Sequence, residues 1–372
     1  MKLSCPILLG LASTALARWP EADGNEIRYS AVQGYFLQDE PDTDPNTFDY
    51  AAQNFGLLNR TYPTDGDSDA EGCETQWQRF ARWVDYLNAD CHRSESVRYK
   101  VLVMGRHGQG WHNAAESYYG TPAWNCYWAE LDGNGTAAWS DALLTPQGVV
   151  EAQRANAYFK TRFEQHGMPF FDSYYSSPLS RCIQTAITTF AAGLDLPASR
   201  PFAPTIKELF REGISIHTCD RRSTRSHIHA FAPNFAFEPG FTEQDELWRG
   251  DRGEGETDAH ELARSKAVLD DVFTNDDGTW LSVTSHSGEI AALLTALGHR
   301  DFGLSTGQII PVLVRAEVVG RTPPTAATTA APGFTFEATC NAPPVTSVAG
   351  TGCVCSSSSA SATATPALVR RL

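Results

Sequence analysis

Four stretches of the chain carry groups that could act together on one anion. Val101 to Met104 is apolar and breaks into Gly105-Arg106-His107-Gly108. Ser176-Ser177-Pro178-Leu179-Ser180-Arg181 reads as a strand end passing into the first turn of a helix, where anions are favoured. Thr205 to Arg211 reads as a short strand that ends at Glu212, and Trp280 to Thr284 as a strand that ends in Ser285-His286-Ser287-Gly288. The carboxyl ends of strands are where open α/β sheets bind ligands. Two arginines and two histidines brought together there would repel one another unless an anion lay between them. A phosphoryl group fits, because planar guanidinium groups match its oxygens. An imidazole, with a free pKa of about 6.5, can supply a neutral nucleophile, and the carboxyl can carry a proton. A single arginine, histidine or glutamate at a strand end is more often a surface ion pair; four in succession point to a site.

The elements that must position these groups alternate strand and helix, which predicts a three-layer α/β/α sandwich around a mostly parallel sheet. The spacing of Trp77, Phe80, Ala81, Val84 and Leu87 predicts a helix over 74–87. Thr145 suits a helix N-cap and Pro146 its first turn, with the helix running to about Glu164. Further helices are expected over 256–272 and 290–297, and a final strand over 309–319. Between the first two motifs lies an insertion, Trp111 to Trp139, rich in tryptophan and tyrosine. It could be aromatic packing beneath a long loop or a lid over the site.

Composition bounds the rest. Of 372 residues, 42 % are hydrophobic, enough for a sizeable core. A formal net charge of −15 argues against nucleic acid or an anionic membrane as partner. Residues 1–17 read as a secretory signal, with Lys2, an apolar run over Ile7 to Leu16, and the small-x-small site Ala15-Leu16-Ala17. The protein is therefore expected outside the cell. Asn59-Arg60-Thr61 and Asn134-Gly135-Thr136 are glycosylation acceptors consistent with export. Of nine cysteines, Cys5 would leave with the signal; the remaining eight permit disulfides whose pairing the sequence does not set. No zinc-like spacing occurs, and His227-Ile228-His229 reads better as solvated loop than as half a metal site, so no metal is expected. Residues 18–97 read as a covering segment, 98–320 as the catalytic domain, and 321–372 as a Ser/Thr/Ala/Pro-rich tail that carries no core. Nothing here sets an oligomeric state.

The order of motifs resembles the histidine phosphatase superfamily, specifically its phosphoglycerate-mutase-like branch, over residues 98–320. Arg106-His107-Gly108 is similar to the family signature, with Asn113 six residues after the histidine. Asp141 through Gly148 resembles its "D…LT..G" helix start. Ser177-Pro178-Leu179 with Arg181, Gln184, Thr185 and Ala186 resembles the second arginine motif, and Ser285-His286-Ser287-Gly288 the second histidine motif. Leu209 to Glu212 corresponds to the acid region, and His217 to Arg222 resembles fungal relatives. Ser215 stands where the family usually has glycine, which leaves Glu208 as the alternative acid.

The resemblance implies a phosphoglycerate-mutase-like fold and a small phosphorylated substrate, with no cofactor. His107 would attack phosphorus, while Arg106, Arg181 and His286 neutralise charge on its oxygens. Glu212 would protonate the leaving alcohol and then deprotonate water. Asn113, Gly108 and Arg222 are expected to bind substrate; Arg222, with Arg221 and Arg225, either holds a second anionic group or pairs with the many acidic residues of this acidic chain. Hydrolysis of phosphomonoesters is the expected reaction. Mutase-type transfer, or phospholigand binding without catalysis, are the alternatives.

Overall fold

The computed structural model describes residues 25–66, 73–91, 96–320, 332–344 and 353–355. The expected signal segment and most of the tail lie outside them.

A 7-stranded sheet forms the centre. Its middle strands are β2 (Val97–Arg106), β7 (Trp280–Ser285) and β3 (Ser173–Ser176), which run parallel. Parallel pairing continues through β4 (Thr205–Ile206) to β5 (Ala236–Phe237). On the other side β8 (Ile309–Gly320) and β1 (Asn25–Ala31) pair antiparallel. The order across the sheet is β1-β8-β2-β7-β3-β4-β5. Val101 to Met104, and every residue of β7, are buried, as expected for strands covered on both faces.

Helices supply that cover. α1 (Gln76–Cys91) brings Trp77 and Phe80 against Trp280. α4 (Pro146–His166) and α5 (Ser180–Phe190) pack on the same face, next to Val103 and Ser282. On the opposite face α7 (Asp258–Asn275) sets Phe273 beside Tyr29 and Lys100. α8 (Ser287–Ala296) packs against α7 and follows β7 directly. Thr145 caps α4 by accepting from the Gly148 N–H at 3.2 Å, and Pro146 occupies its first turn.

Three expectations change. The segment before residue 97 does more than cover the core, because β1 joins the sheet and extends its edge. The strand expected over Thr205 to Arg211 stops after two residues. Lys207 is still extended, but the next N–H, that of Glu208, goes to the Glu238 carboxylate instead of a strand neighbour, and a 3-10 turn follows over Glu208–Phe210. The tail contributes structure as well. β9 (Phe334–Phe336) pairs with β6 (Glu254–Glu256), Cys340 is buried, and disulfides Cys126–Cys353 and Cys340–Cys355 tie it down.

The aromatic insertion holds α2 (Trp111–Tyr119) and α3 (Thr121–Cys126). Its rings form a second apolar cluster: Trp139 is fully buried against Trp124, and Tyr119 stacks on Trp128 at 4.1 Å. Cys219 packs into the same cluster. Packing, one of the two expectations, accounts for these rings. Asn134 donates from Nδ2 to Tyr119, and no described helix is long and apolar enough to cross a membrane.

Candidate active site

The Arg106–Gly108 loop leaves β2 and runs over the first turn of α4. A side chain at Gly108 would strike the Gly148 carbonyl, and one at Gly148 would strike the backbone of Gln109. Two glycines therefore let loop and helix touch backbone to backbone. Gly108 was expected to bind substrate. Its N–H donates to Thr185 Oγ1 (3.0 Å), and the backbone contact with Gly148 holds it close to α4.

That loop fixes the His107 ring. Nδ1 lies 2.7 Å from the Gly108 carbonyl oxygen, which can only accept, so Nδ1 carries the proton. Nε2 is left with its lone pair, and Arg181 Nε donates to it at 3.3 Å. Both His107 and Arg181 are about fully buried, at 1 % exposure each. Burial, then the Arg181 and Arg106 guanidinium groups, hold the His107 pKa well below the usual histidine value.

Arg181 itself is fixed by the Cys219 carbonyl (2.6 Å) and by Asp220, 3.6 Å away. α5, which carries it, is anchored by Asp141, whose carboxylate accepts from the Ser180 N–H and hydroxyl at 2.8 Å each and from the Ser223 N–H. Arg106 donates to the Leu304 carbonyl (2.8 Å), while its buried Nε has no hydrogen-bond partner. His286 ends β7 with its ring 5.0 Å from that of His107, and shares a 2.7 Å hydrogen bond with Ser177 Oγ. Cys182 Sγ lies 3.3 Å from the same nitrogen. Asn113 accepts from the Gly110 N–H at 3.0 Å; its amide nitrogen makes no hydrogen bond among the described residues.

Glu212 accepts from the Glu289 N–H (3.1 Å) at the start of α8. Burial raises its pKa and Asp220 adds to that, while Arg181 and Arg106 act against them. Glu208, the alternative acid, lies in a different setting. Its carboxylate takes both contacts from Arg222 Nε (3.0 and 2.8 Å) and one from Arg211 (3.0 Å). Ser215 bonds Asp220 at 2.6 Å, a contact that glycine could not make.

Arg222 does not reach the site. Besides Glu208, it donates to the carbonyls of Thr242 and Gln244 and lies over the Phe241 ring. Arg221 pairs with Asp132, and exposed Arg225 lies over Phe237. The second anion contact expected of these three arginines has no support in their placement.

His112 was missed in the sequence. Its ring stands 5.3 Å from that of His107, buried, with Nδ1 unpartnered. The available signal was its place on the turn of α2 that also bears Asn113. Burial and Arg181 lower its pKa well below normal, and the same two causes act on His286. Among the described residues, His217, Cys219 and Asp220 could present three metal-ligand atoms within 4.8 Å. Asp220 is already held there by Ser215 and faces Arg181, a cation that opposes a second positive charge. His227 and His229 are exposed on the short helix α6 (Arg225–Phe231).

The sequence model of the histidine phosphatase superfamily (branch 1) matches residues 128–309, starting after the Arg106–Gly108 loop. A protein of Arthroderma benhamiae described as a probable phosphoglycerate mutase is 48 % identical over 316 residues, covering 84 % of this chain and 92 % of its own. Phosphomutase-like protein 3 of Candida albicans is 35 % identical over 291 residues, covering 78 % and 81 %. Among solved structures, a phosphoglycerate mutase from Thermus thermophilus covers 58 % of this chain and 97 % of that one at 20 % identity, with a TM-score of 0.32, too slight a likeness to carry weight. With relatives of this identity and coverage, the chain belongs to the histidine phosphatase superfamily, in the phosphoglycerate-mutase-like branch.

Proposed function

We propose that the protein is a secreted phosphatase that hydrolyses phosphomonoesters through a phosphohistidine on His107. The observation that carries this is the fixed tautomer of His107: Nδ1–H is held by Gly108, and the Nε2 lone pair lies against Arg181. A phosphoryl oxygen entering the site draws the guanidinium to itself and frees that lone pair. Nε2 then bonds to phosphorus as the P–O bond to the leaving alcohol breaks, and Glu212 gives that oxygen its proton. Arg106, Arg181, His286 and the Asn113 amide face the three equatorial oxygens, whose charge is the main thing to be stabilised in phosphoryl transfer. In the second half, water gives its proton to Glu212 and its oxygen to phosphorus, and the P–N bond breaks. This returns His107 to its starting state and releases phosphate.

Two disulfides support an oxidising compartment for the folded chain. An exported protein meets neither phosphoglycerate nor the bisphosphorylated primer that a mutase needs, which favours water as acceptor. The names of the fungal relatives favour the other acceptor, a second hydroxyl. Para-nitrophenyl phosphate turnover by wild type and His107→Ala tests the nucleophile; equal rates overturn it. Incubation with 3-phosphoglycerate and catalytic 2,3-bisphosphoglycerate tests the acceptor. Isomer formed faster than phosphate is released overturns hydrolysis.

A further inference from the structure

Glu261, on the first turns of α7, points at the acid from a place where a carboxylate is poorly accommodated. Its carboxyl fills the space that side chains at two glycines would need. A Cβ on Gly213 would sit 3.1 and 3.3 Å from its two oxygens, and one on Gly288 would sit 3.3 Å from Oε1. The same Cβ on Gly288 would collide with Glu212 Oε1. The two carboxyl groups therefore both border the space over Gly288 that a side chain there would fill.

Little offsets that proximity. Oε1 of Glu261 is buried and has no hydrogen-bond partner. The nearest cation, Arg264, stands 3.8 Å away and is committed elsewhere. It donates to both oxygens of Glu256 (3.0 and 3.1 Å), to Glu289 (2.9 Å), and to the carbonyls of Leu209 and Arg211. Glu256 and Asp258 add further negative charge around Glu261, and Glu289 adds it from α8. His260 is turned away to Glu256. Glu212 in turn faces Asp220, Arg181 and Arg106. One guanidinium thus serves the three carboxyls of Glu256, Glu261 and Glu289, with that of Glu212 nearby, which favours a proton on one of them.

We propose that Glu261 is a positioning residue whose carboxyl, lying near that of Glu212, keeps Glu212 protonated until the leaving alcohol takes that proton. This rests on Glu212 being the acid of the proposed hydrolysis. When Glu212 gives its proton to the leaving oxygen it becomes a carboxylate beside Glu261. The repulsion is then relieved in the next half-reaction, as Glu212 takes a proton from water. Burial and the neighbouring Glu212 push the Glu261 pKa up to about 7.

The test is the pH profile of kcat with an alkyl phosphate, whose poor leaving group needs the acid. Removing the neighbouring negative charge makes the Glu212 carboxylate easier to form. The alkaline limb of Glu261→Gln should therefore fall at a pH about one unit lower than in wild type, roughly tenfold slower beyond it, with KM unmoved. Glu261→Asp, which keeps a carboxyl, should restore part of the shift and serves if the amide variant folds poorly. Coincident limbs in wild type and both variants overturn the inference. Glu212→Gln separates the two levels. Undiminished turnover by that variant overturns the acid assignment and the inference with it, whereas its loss beside coincident Glu261 limbs overturns the inference alone.

Discussion

Arg181 Nε lies 3.3 Å from His107 Nε2, on the lone pair that would form the bond to phosphorus. The same guanidinium is fully buried, and in the proposed reaction it would face the developing charge. Arg181→Ala should therefore cost about 10²–10³ in kcat, the scale seen when one such donor is removed. Arg225→Ala, at an exposed position over Phe237, should stay within about twofold. Steady-state kinetics on the two variants checks this, and equal small losses would remove Arg181 from the chemistry.

Binding of an oxyanion should take up protons. His107, His112 and His286 are held neutral by burial and by the arginines beside them. Negative charge placed among them favours their protonated forms and raises their pKa values. Sulfate is a suitable probe because it does not titrate near pH 6. Calorimetry at pH 6 in two buffers of different ionisation heat should show net uptake, reduced in His286→Gln. Release of protons would contradict the geometry.

Glu208 and Glu212 should separate cleanly by what they damage. Glu212→Gln should lose about 10²-fold or more in turnover of an alkyl phosphate while keeping its melting temperature. Glu208→Gln should instead weaken the fold, because it leaves Arg222 and Arg211 short of a buried counter-charge. Breaking such a pair costs on the order of 3–5 kcal/mol, readable in a urea melt. Arg222→Ala should behave in the same way.

Gly148→Ala is a test of the contact between the catalytic loop and α4. The added methyl meets the Gln109 backbone, which cannot swing aside as a side chain could. A destabilisation of about 1–3 kcal/mol is expected, together with a fall in kcat as the His107 loop is displaced. A variant with wild-type melting and turnover would show that the loop tolerates more room than its geometry gives it.

Much of this was legible in the chain. Apolar runs ending in Arg106-His107 and Ser285-His286 gave strands whose ends converge, because parallel pairing aligns carboxyl ends on one edge. Thr145-Pro146 marked a helix start by local chemistry alone. What stayed hidden depends on contacts distant in sequence. Arg221 and Arg222 look like Arg181 as residue types; only the fold reveals that Glu208 and Asp132 hold them away. His112 shows no sign of burial until the aromatic insertion packs, and Glu261 reads as an ordinary helix-surface charge. The strand after Thr205 failed for a related reason: the Glu208 N–H is taken by the carboxylate of Glu238, thirty residues on.

The Cys126–Cys353 bond has a consequence for covalent topology. It joins positions separated by 227 residues, so the chain between them is a closed ring. Arg181, Glu212 and His286 belong to that ring, while Arg106 and His107 lie on the open arm that enters it. A protease that cuts one exposed loop of the ring, for example around Gly240, opens the loop without releasing a fragment. Both pieces stay bonded through sulfur and through the sheet. The part of the site that carries Arg181, Glu212 and His286 is thus tethered even after a first nick.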